Sequence, residues 1–205
     1  MLGEPKRDRL SERREATRRE IVEAAWVVAR EEGLAQLTLR AVAQLVGMQV
    51  PSLYSHFASK NAIYDAMFAQ AWTECLDLTH AVEGDVPAGA RAAFKFHART
   101  FFDFAVSDLA RHQLMNQRTI PGFEPTPQAY APAVAVLGEF RERVARYGVT
   151  RAEDIDLYTA IIGGLIDAQL ANDPGGDRWA RLLDRAIDMY VDDLGIEQGK
   201  GAHHE

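Results

Sequence analysis

The residues best suited to chemistry lie between Thr38 and Phe57, in two short stretches of helical spacing separated by Gly47. Two short helices joined by a tight glycine turn are typical of a helix-turn-helix. In that motif the second helix lies in the major groove of DNA, and the first crosses the backbone. The second helix is predicted at Pro51–Phe57. The sequence therefore predicts a DNA-reading element near the start of the chain.

Four residues at the start of this second helix are expected to face base edges. The side chains of Gln49 and Ser52 can hydrogen-bond to bases. Val50 and Pro51 can make apolar contact with a thymine methyl group.

Other polar residues around the motif are placed to contact phosphate. Tyr54 and His56 alternate with apolar residues, so they are expected to point away from the core. Thr38 and Lys60 each stand at a predicted helix N-terminus, where backbone N–H groups and the helix dipole favour an anion. The alternative is a small helical bundle in which these side chains are merely exposed.

The charge distribution fits a protein that presents one end to DNA. The chain carries 23 basic and 30 acidic residues, a net charge of −7. The first 60 residues, however, carry ten Lys and Arg against eight Asp and Glu. A mildly basic head on an acidic body favours phosphate contact at one end only. A solvated surface of mixed charge explains the same numbers.

Apolar residues recur at helical spacing along almost the whole chain, which predicts an all-α fold. We expect an N-terminal helix-turn-helix domain followed by a larger helical body. The predicted organisation is a flexible arm at 1–16, the DNA-binding domain at 17–62, a larger helical domain at 63–195 and a flexible tail at 196–205. The helices are predicted at Thr17–Glu32, from Thr38, at Pro51–Phe57, from Lys60, and at Ala90–Val106, Leu109–Arg118, Gln128–Tyr147, Arg151–Ala171 and Asp177–Leu194.

Several functional classes are disfavoured by composition. The single cysteine, Cys75, excludes an internal disulfide framework and a multi-cysteine metal site. No apolar run approaches the roughly 20 residues of a membrane span, and the charged N-terminus lacks a signal-peptide core. No acid/base cluster, nucleophile arrangement or metal-ligand spacing stands out. We therefore expect a cytoplasmic, non-enzymatic protein without a cofactor or bound metal.

The helical body contains residues that could hold a small molecule. One helix is rich in phenylalanine, and an aromatic wall with a few polar groups is the usual form of a ligand site. The alternative for each residue is an ordinary core or surface position. The candidates for effector binding are Phe94, His97, Phe101, Gln117, Arg118 and Tyr158.

The last two long helices carry apolar residues on more than one face, which suggests a homodimer interface. Two such helices from each subunit could form a four-helix seam across a two-fold axis. The alternative is that the helices only bury each other within one subunit. The interface candidates are Ile155, Ile162, Leu165, Ile166, Leu183, Ala186, Met189 and Tyr190.

The segment Leu53-Tyr54-x-His56-Phe57-x-x-Lys60, preceded by Gly47, resembles the recognition segment of the TetR family of bacterial transcriptional regulators. The upstream helix Ile21–Glu32 with Gly33, and Thr38-Leu39-Arg40-x-Val42-Ala43, are similar to the same family, so the resemblance covers about residues 14–70.

The resemblance implies a homodimer that binds a palindromic operator on double-stranded DNA. It also implies a helical C-terminal domain that binds a small-molecule effector and releases the DNA. The family's default is repression. Positions matching Arg40, Val50, Pro51 and Ser52 would approach bases, and those matching Thr38, Tyr54, His56 and Lys60 would approach phosphates.

The segment Lys6–Arg19 has seven basic residues mixed with acidic ones. Arms of this kind on DNA-binding domains can reach into the adjacent minor groove. A solubilising, disordered tail is the alternative.

Overall fold

A computed structural model describes residues 6–196 of the chain, with side chains from residue 9 onward. Every regular element in this range is helical, which confirms the all-α prediction. The α-helices are α1 (Lys6–Glu32), α2 (Leu39–Leu45), α3 (Val50–Leu53), α4 (Lys60–Ala81), α5 (Ala90–Val106), α6 (Leu109–Asn116), α7 (Pro127–Ala145), α8 (Ala152–Asn172) and α9 (Leu183–Leu194). Short 3-10 turns occur at Leu34–Gln36, Glu83–Asp85 and Ala180–Leu182.

The first helix begins at Lys6 and not near Thr17 as predicted, so residues 6–16 of the predicted flexible arm are helical. The segment contains no glycine or proline, and its Arg, Glu, Leu and Ala residues are strong helix formers. The mixed charges of this segment are compatible with an exposed helix face. Residues 1–5 of the arm, and 197–205 of the predicted tail, lie outside the described residues.

The last helix begins later than predicted, at Leu183 and not at Asp177. The buried side chain of Gln169 explains the delay. Its carbonyl oxygen accepts hydrogen bonds from the backbone N–H groups of Trp179 and Ala180, at 2.9 and 3.2 Å. These bonds hold the segment before α9 as a turn and a short 3-10 helix. The spacing of apolar residues along the sequence does not indicate such a contact.

The described chain forms two compact units. Unit one contains the residues up to Ala71 together with Ala110–Ala131, and unit two contains Trp72–Leu109 and the residues from Pro132 onward. The predicted domain boundary at 62/63 falls inside α4. Unit one also takes in α6 from Ala110, the following loop and the start of α7, a segment that the sequence division had placed in the body.

The core of unit one is built around the apolar stripe of α1. Ile21 and Ala25 are fully buried, as are Val42 of α2 and Ile63 of α4. Burial against this stripe holds the short helices α2 and α3, which would be marginal alone. The hydroxyl of the buried Tyr64 donates a hydrogen bond to the carbonyl of Leu34, which ties α4 to the 3-10 turn between α1 and α2.

The core of unit two lies among α5, α8 and α9. Phe94 has ring contacts with four other aromatic side chains at centroid distances from 5.4 to 6.4 Å. Ion pairs join α5 to α9 at the edge of this core, with Lys95 and Arg91 at 2.7 and 3.0 Å from Asp188. Among the described residues, none of the helices combines the length and the apolar composition of a membrane span.

Candidate nucleic-acid interface

The first helix of the predicted motif begins where the sequence indicated. The Oγ1 atom of Thr38 accepts a hydrogen bond from the backbone N–H of Ala41 at 3.1 Å, which makes Thr38 the N-cap of α2. An N-cap oxygen satisfies one of the N–H groups that a helix start leaves unpaired. The Thr38 side chain is exposed, so the cap also lies on the surface of unit one.

The turn between the two helices depends on Gly47. Its φ of +66° lies in the left-handed region, which other residues reach only with strain. The Gly47 N–H donates to the carbonyl of Gln44 at 3.2 Å, and the Met48 N–H donates to the carbonyl of Ala43 at 2.9 Å. This arrangement reverses the chain within three residues and sets the start of α3.

The second helix is shorter than predicted. The α-helix covers Val50–Leu53, not Pro51–Phe57, and residues 54–56 form turns. The N–H groups of His56 and Phe57 still bond to the carbonyl of Leu53, both at 2.9 Å. The chain therefore keeps a compact helical course to Phe57, although the regular pattern stops earlier.

The predicted base-contacting residues form one exposed row at the start of α3. Gln49, Pro51 and Ser52 are exposed, and Val50 is half-buried. Leu53 is buried and anchors the row from below. Arg40 is exposed on α2. Side chains that can donate, accept or make apolar contacts are thus exposed in unit one at α2 and at the start of α3.

The residues predicted to contact phosphate differ in how far they are exposed. The Tyr54 side chain is exposed by 53%, as expected for a residue that reaches solvent. His56 is half-buried, and its Nδ1 atom is buried without a hydrogen-bond partner. Lys60 is also half-buried, with its ammonium group 5.5 Å from the centre of the Tyr64 ring. Only part of the His56 side chain and part of the Lys60 side chain are therefore accessible to a ligand.

Sequence reasoning missed two positioning residues. Arg14 of α1 donates a hydrogen bond to the carbonyl of Ser55 at 3.0 Å, and Arg18 donates to the carbonyl of His56. The Arg18 guanidinium also stacks 4.1 Å from the centre of the buried Phe57 ring. Both arginines stand on one helix face, four residues apart, and that spacing was the available signal. They hold the end of the recognition segment against α1.

The effector candidates do not all belong to one unit. Phe94 and Tyr158 are buried core residues of unit two, and the Tyr158 hydroxyl donates to the Phe94 carbonyl at 3.0 Å. Burial raises the pKa of Tyr158 well above its ordinary value. Gln117 and Arg118 belong to unit one, where they border a groove of about 390 Å³.

The two remaining effector candidates line the edge of the unit-two core. His97 is half-buried, and its ring lies 6.1 Å from that of Phe140. Burial, helped by the positive charge of Arg143, lowers the pKa of His97 below its ordinary value. Phe101 is half-buried against the same core. The His97 imidazole therefore lies partly inside the core and beside an aromatic ring.

Most dimer candidates are used inside the subunit. Ile155, Ile162, Ile166, Leu183 and Tyr190 are all buried in the core of unit two. Their burial follows the alternative considered from the sequence, in which the last two helices pack on each other.

The outer face of the same two helices remains apolar. Met189 is exposed by 64%, whereas Leu165 and Ala186 are half-buried. Leu157 of α8 is exposed by 46% and Leu182 by 37%. Hydropathy could not separate this second face from the buried one, because both carry aliphatic residues.

The geometry defines the chain as a helix-turn-helix protein. Residues 21–67 match the family model described as bacterial regulatory proteins, tetR family. The chain is 27% identical over 134 residues to the HTH-type transcriptional regulator Rv1816 of Mycobacterium tuberculosis. That alignment covers 64% of this chain and 57% of the relative's length. Residues 21–67 are therefore a DNA-binding domain of the type found in the tetR family of bacterial regulatory proteins, which confirms the resemblance found in the sequence.

Solved structures share the fold at lower identity. A protein with unknown function from Rhodococcus sp. RHA1 superposes with a TM-score of 0.72 at 18% identity, covering 86% of this chain and 94% of that one. The transcriptional regulator FadR from Bacillus subtilis, in complex with stearoyl-CoA, gives a TM-score of 0.63 at 14% identity. Here the match covers 84% of this chain and 97% of FadR. At these identities the likeness concerns the fold.

Proposed function

We propose that this regulator is a homodimeric, effector-controlled repressor that binds a palindromic operator through α3. One observation carries the proposal: the row Gln49–Ser52, exposed except for the half-buried Val50, stands at the start of α3, and the Leu53 that follows it is buried. Such a row presents hydrogen-bonding and apolar groups together, which is what direct readout of base edges requires. The turn at Gly47 fixes the row relative to the capped α2.

The residues around α3 are proposed to fix its register on the duplex. Contacts to phosphate oxygens position a protein on DNA, whereas base contacts give specificity. The exposed Tyr54 and Thr38, with the accessible edges of His56 and Lys60, would supply the phosphate contacts. Arg40 would approach a base edge from α2. The first turns of α1 would lie against the neighbouring DNA, where their arginines could reach the minor groove.

Dimerisation is proposed through the outer face of α8 and α9. The exposed Leu157, Leu182 and Met189 are apolar, and Gly164 is an exposed glycine between turns of α8. Apolar side chains with a small residue among them allow two helices to approach closely. A palindromic operator needs two recognition helices about 34–36 Å apart, so a two-fold dimer is the assembly that can engage both half-sites.

Effector control is proposed from a similar fold that holds a ligand and from the thermodynamic linkage between effector binding and DNA binding. FadR from Bacillus subtilis was solved with stearoyl-CoA, so a protein of this fold can hold a small molecule. An effector weakens DNA binding only as far as it prefers the conformation that cannot bind DNA. Because both half-sites must be engaged at once, a small change in the spacing of the heads is sufficient. The protein would act in the cytoplasm and without a cofactor.

The contact assignment is tested with the double variant Tyr54→Ala/His56→Ala. Binding to an operator found by footprinting its own upstream DNA should fall at least tenfold, because two phosphate contacts are lost. His80→Ala is the control, since it removes an exposed histidine that lies in unit two, away from α3. Unchanged operator affinity in a folded double variant would contradict the assignment.

A further inference from the structure

The outer face of α1 and the end of α2 form an open groove on the surface of unit one. The α1 residues of this groove recur at intervals of three and four, so they lie on one side of the helix. The opposite side of α1, with Ile21 and Ala25, is buried in the core. The lining includes Arg19, Glu20, Glu23 and Val27 of α1, with Leu45 and Val46 at the end of α2.

Two of the exposed apolar side chains of unit one meet in this groove. Val27 is exposed by 39% and Leu45 by 55%, and Val46 beside them is half-buried. Single exposed aliphatic residues are common on protein surfaces, whereas adjoining ones within a polar rim mark an interaction site. Neither side chain belongs to the row Gln49–Ser52 or to the outer face of α8 and α9. The groove is therefore separate from the two interfaces already proposed.

The charges beside these apolar residues are of both signs. Arg19, Glu20 and Glu23 are all exposed. Arg19 and Glu20 stand about 100° apart around α1, at the two edges of the groove face. A uniformly basic or acidic partner brings a like charge against one edge, which opposes association. A second copy of this surface, turned by a two-fold rotation about an axis parallel to α1, sets the Arg19 edge of each copy against the Glu20 edge of the other.

We propose that this groove joins the DNA-binding heads of two neighbouring dimers and makes their binding to adjacent operators cooperative. The inference rests on the proposed function, because two palindromic operators placed side by side relate the neighbouring heads by a two-fold axis midway between the sites. A two-fold contact is what the self-complementary rim provides. Since both dimers are held on one duplex, even a weak contact between their heads raises the affinity of the second dimer.

Cooperativity is measured on DNA that carries two copies of the operator footprinted from the upstream region. The distance between the copies is varied in single base pairs over one helical turn, about 10 base pairs, so that every relative orientation of the neighbouring heads is sampled. We expect a range of spacings at which the second dimer binds about tenfold more tightly than a dimer binds a single operator. Equal affinities at every spacing would overturn the proposal.

Variants of the groove test whether this gain comes from the proposed contact. Leu45→Ala and Arg19→Glu should each abolish it, whereas Arg19→Glu/Glu20→Arg exchanges the two charged edges and should restore it. Because the gain is a ratio of two affinities of the same variant, a change in its general affinity for DNA cancels. Leu10→Ala is the matched control for Leu45→Ala, since Leu10 is an exposed leucine of α1 outside the groove. A gain that survives both single groove variants would contradict the contact.

The same experiment separates this proposal from the proposed function. If the wild type binds a single operator and gains nothing from a second one, the contact between heads is wrong and the repressor function stands. If the wild type binds no single operator, the repressor function itself is contradicted, together with the contact that rests on it.

Discussion

The guanidinium of Arg18 lies 4.1 Å from the centre of the Phe57 ring and also donates to the carbonyl of His56. One side chain of α1 therefore fixes the last residues of the recognition segment in two ways. A cation over an aromatic face and a charge-assisted hydrogen bond are each worth about 1 kcal/mol when partly buried.

Replacing this arginine should loosen the recognition segment. In Arg18→Ala the free energy of unfolding, measured with urea, is expected to fall by about 2 kcal/mol. Operator affinity should fall as well. Arg19→Ala removes the same charge from the neighbouring, exposed position and serves as the control. If the two variants lose stability equally, Arg18 has no special positioning role.

The contribution of the Thr38 N-cap to the stability of the protein should be measurable separately. Thr38→Ala removes the oxygen that accepts from the Ala41 N–H, and this change typically costs about 1 kcal/mol. Thr38→Ser keeps the hydroxyl and should retain most of the stability. Thermal unfolding of the three proteins checks this order. A Thr38→Ser protein as unstable as Thr38→Ala would show that the threonine methyl group, and not the cap, matters.

The contact between α5 and α9 should depend on acid pH. Hydrogen bonds from Lys95 and Arg91 lower the pKa of Asp188 below its ordinary value of 3.8. A carboxyl whose pKa is lower in the folded state stabilises the fold above the unfolded-state pKa, and this stability is lost as pH falls through the folded-state pKa. The affected window therefore lies below about pH 4.

The variant Asp188→Asn isolates this effect. It should be less stable than the wild type at pH 7, and the difference should shrink as the pH falls below about 4. Urea midpoints at several pH values measure it. Asp156→Asn, an exposed position on α8, is the control. A difference between the wild type and Asp188→Asn that is independent of pH would contradict the ion-pair account.

The proposed dimer face makes a prediction about mass in solution. Met189→Arg places a charge on the exposed face of α9 and should convert the dimer to a monomer in sedimentation experiments. The buried core beside it should stay folded, as judged by circular dichroism. Leu109→Arg adds the same charge at another exposed apolar position, 49% accessible, and should leave the dimer intact. A dimer that survives Met189→Arg would place the interface elsewhere.

The sequence predicted local structure best where a single residue has a local role. Thr38 as a cap, Gly47 as the turn and α5 at Ala90–Val106 were all predicted and are found. Each depends on neighbours within a few positions, which the sequence displays directly. The exposure of Tyr54 likewise follows from its place beside the buried Leu53.

Features that depend on distant residues were missed. Nothing near Gln169 indicates that its side chain would hold the segment before α9. The division into units was likewise hidden, because the bonds between Asp65 and Thr126 join residues 61 positions apart. The residues predicted for the dimer interface include both buried and exposed positions, because hydropathy does not show which apolar face of α8 is turned inward.

In the proposed complex, two copies of α3 read a palindrome, and the surrounding residues contact phosphates on both half-sites. The most direct test is footprinting of the upstream DNA, combined with operator affinity at several salt concentrations. We expect protection of two half-sites about one helical turn apart and a logarithmic salt slope of about −0.9 per phosphate contacted. Binding that is insensitive to salt, or failure to select any site from a random DNA pool, would contradict the account.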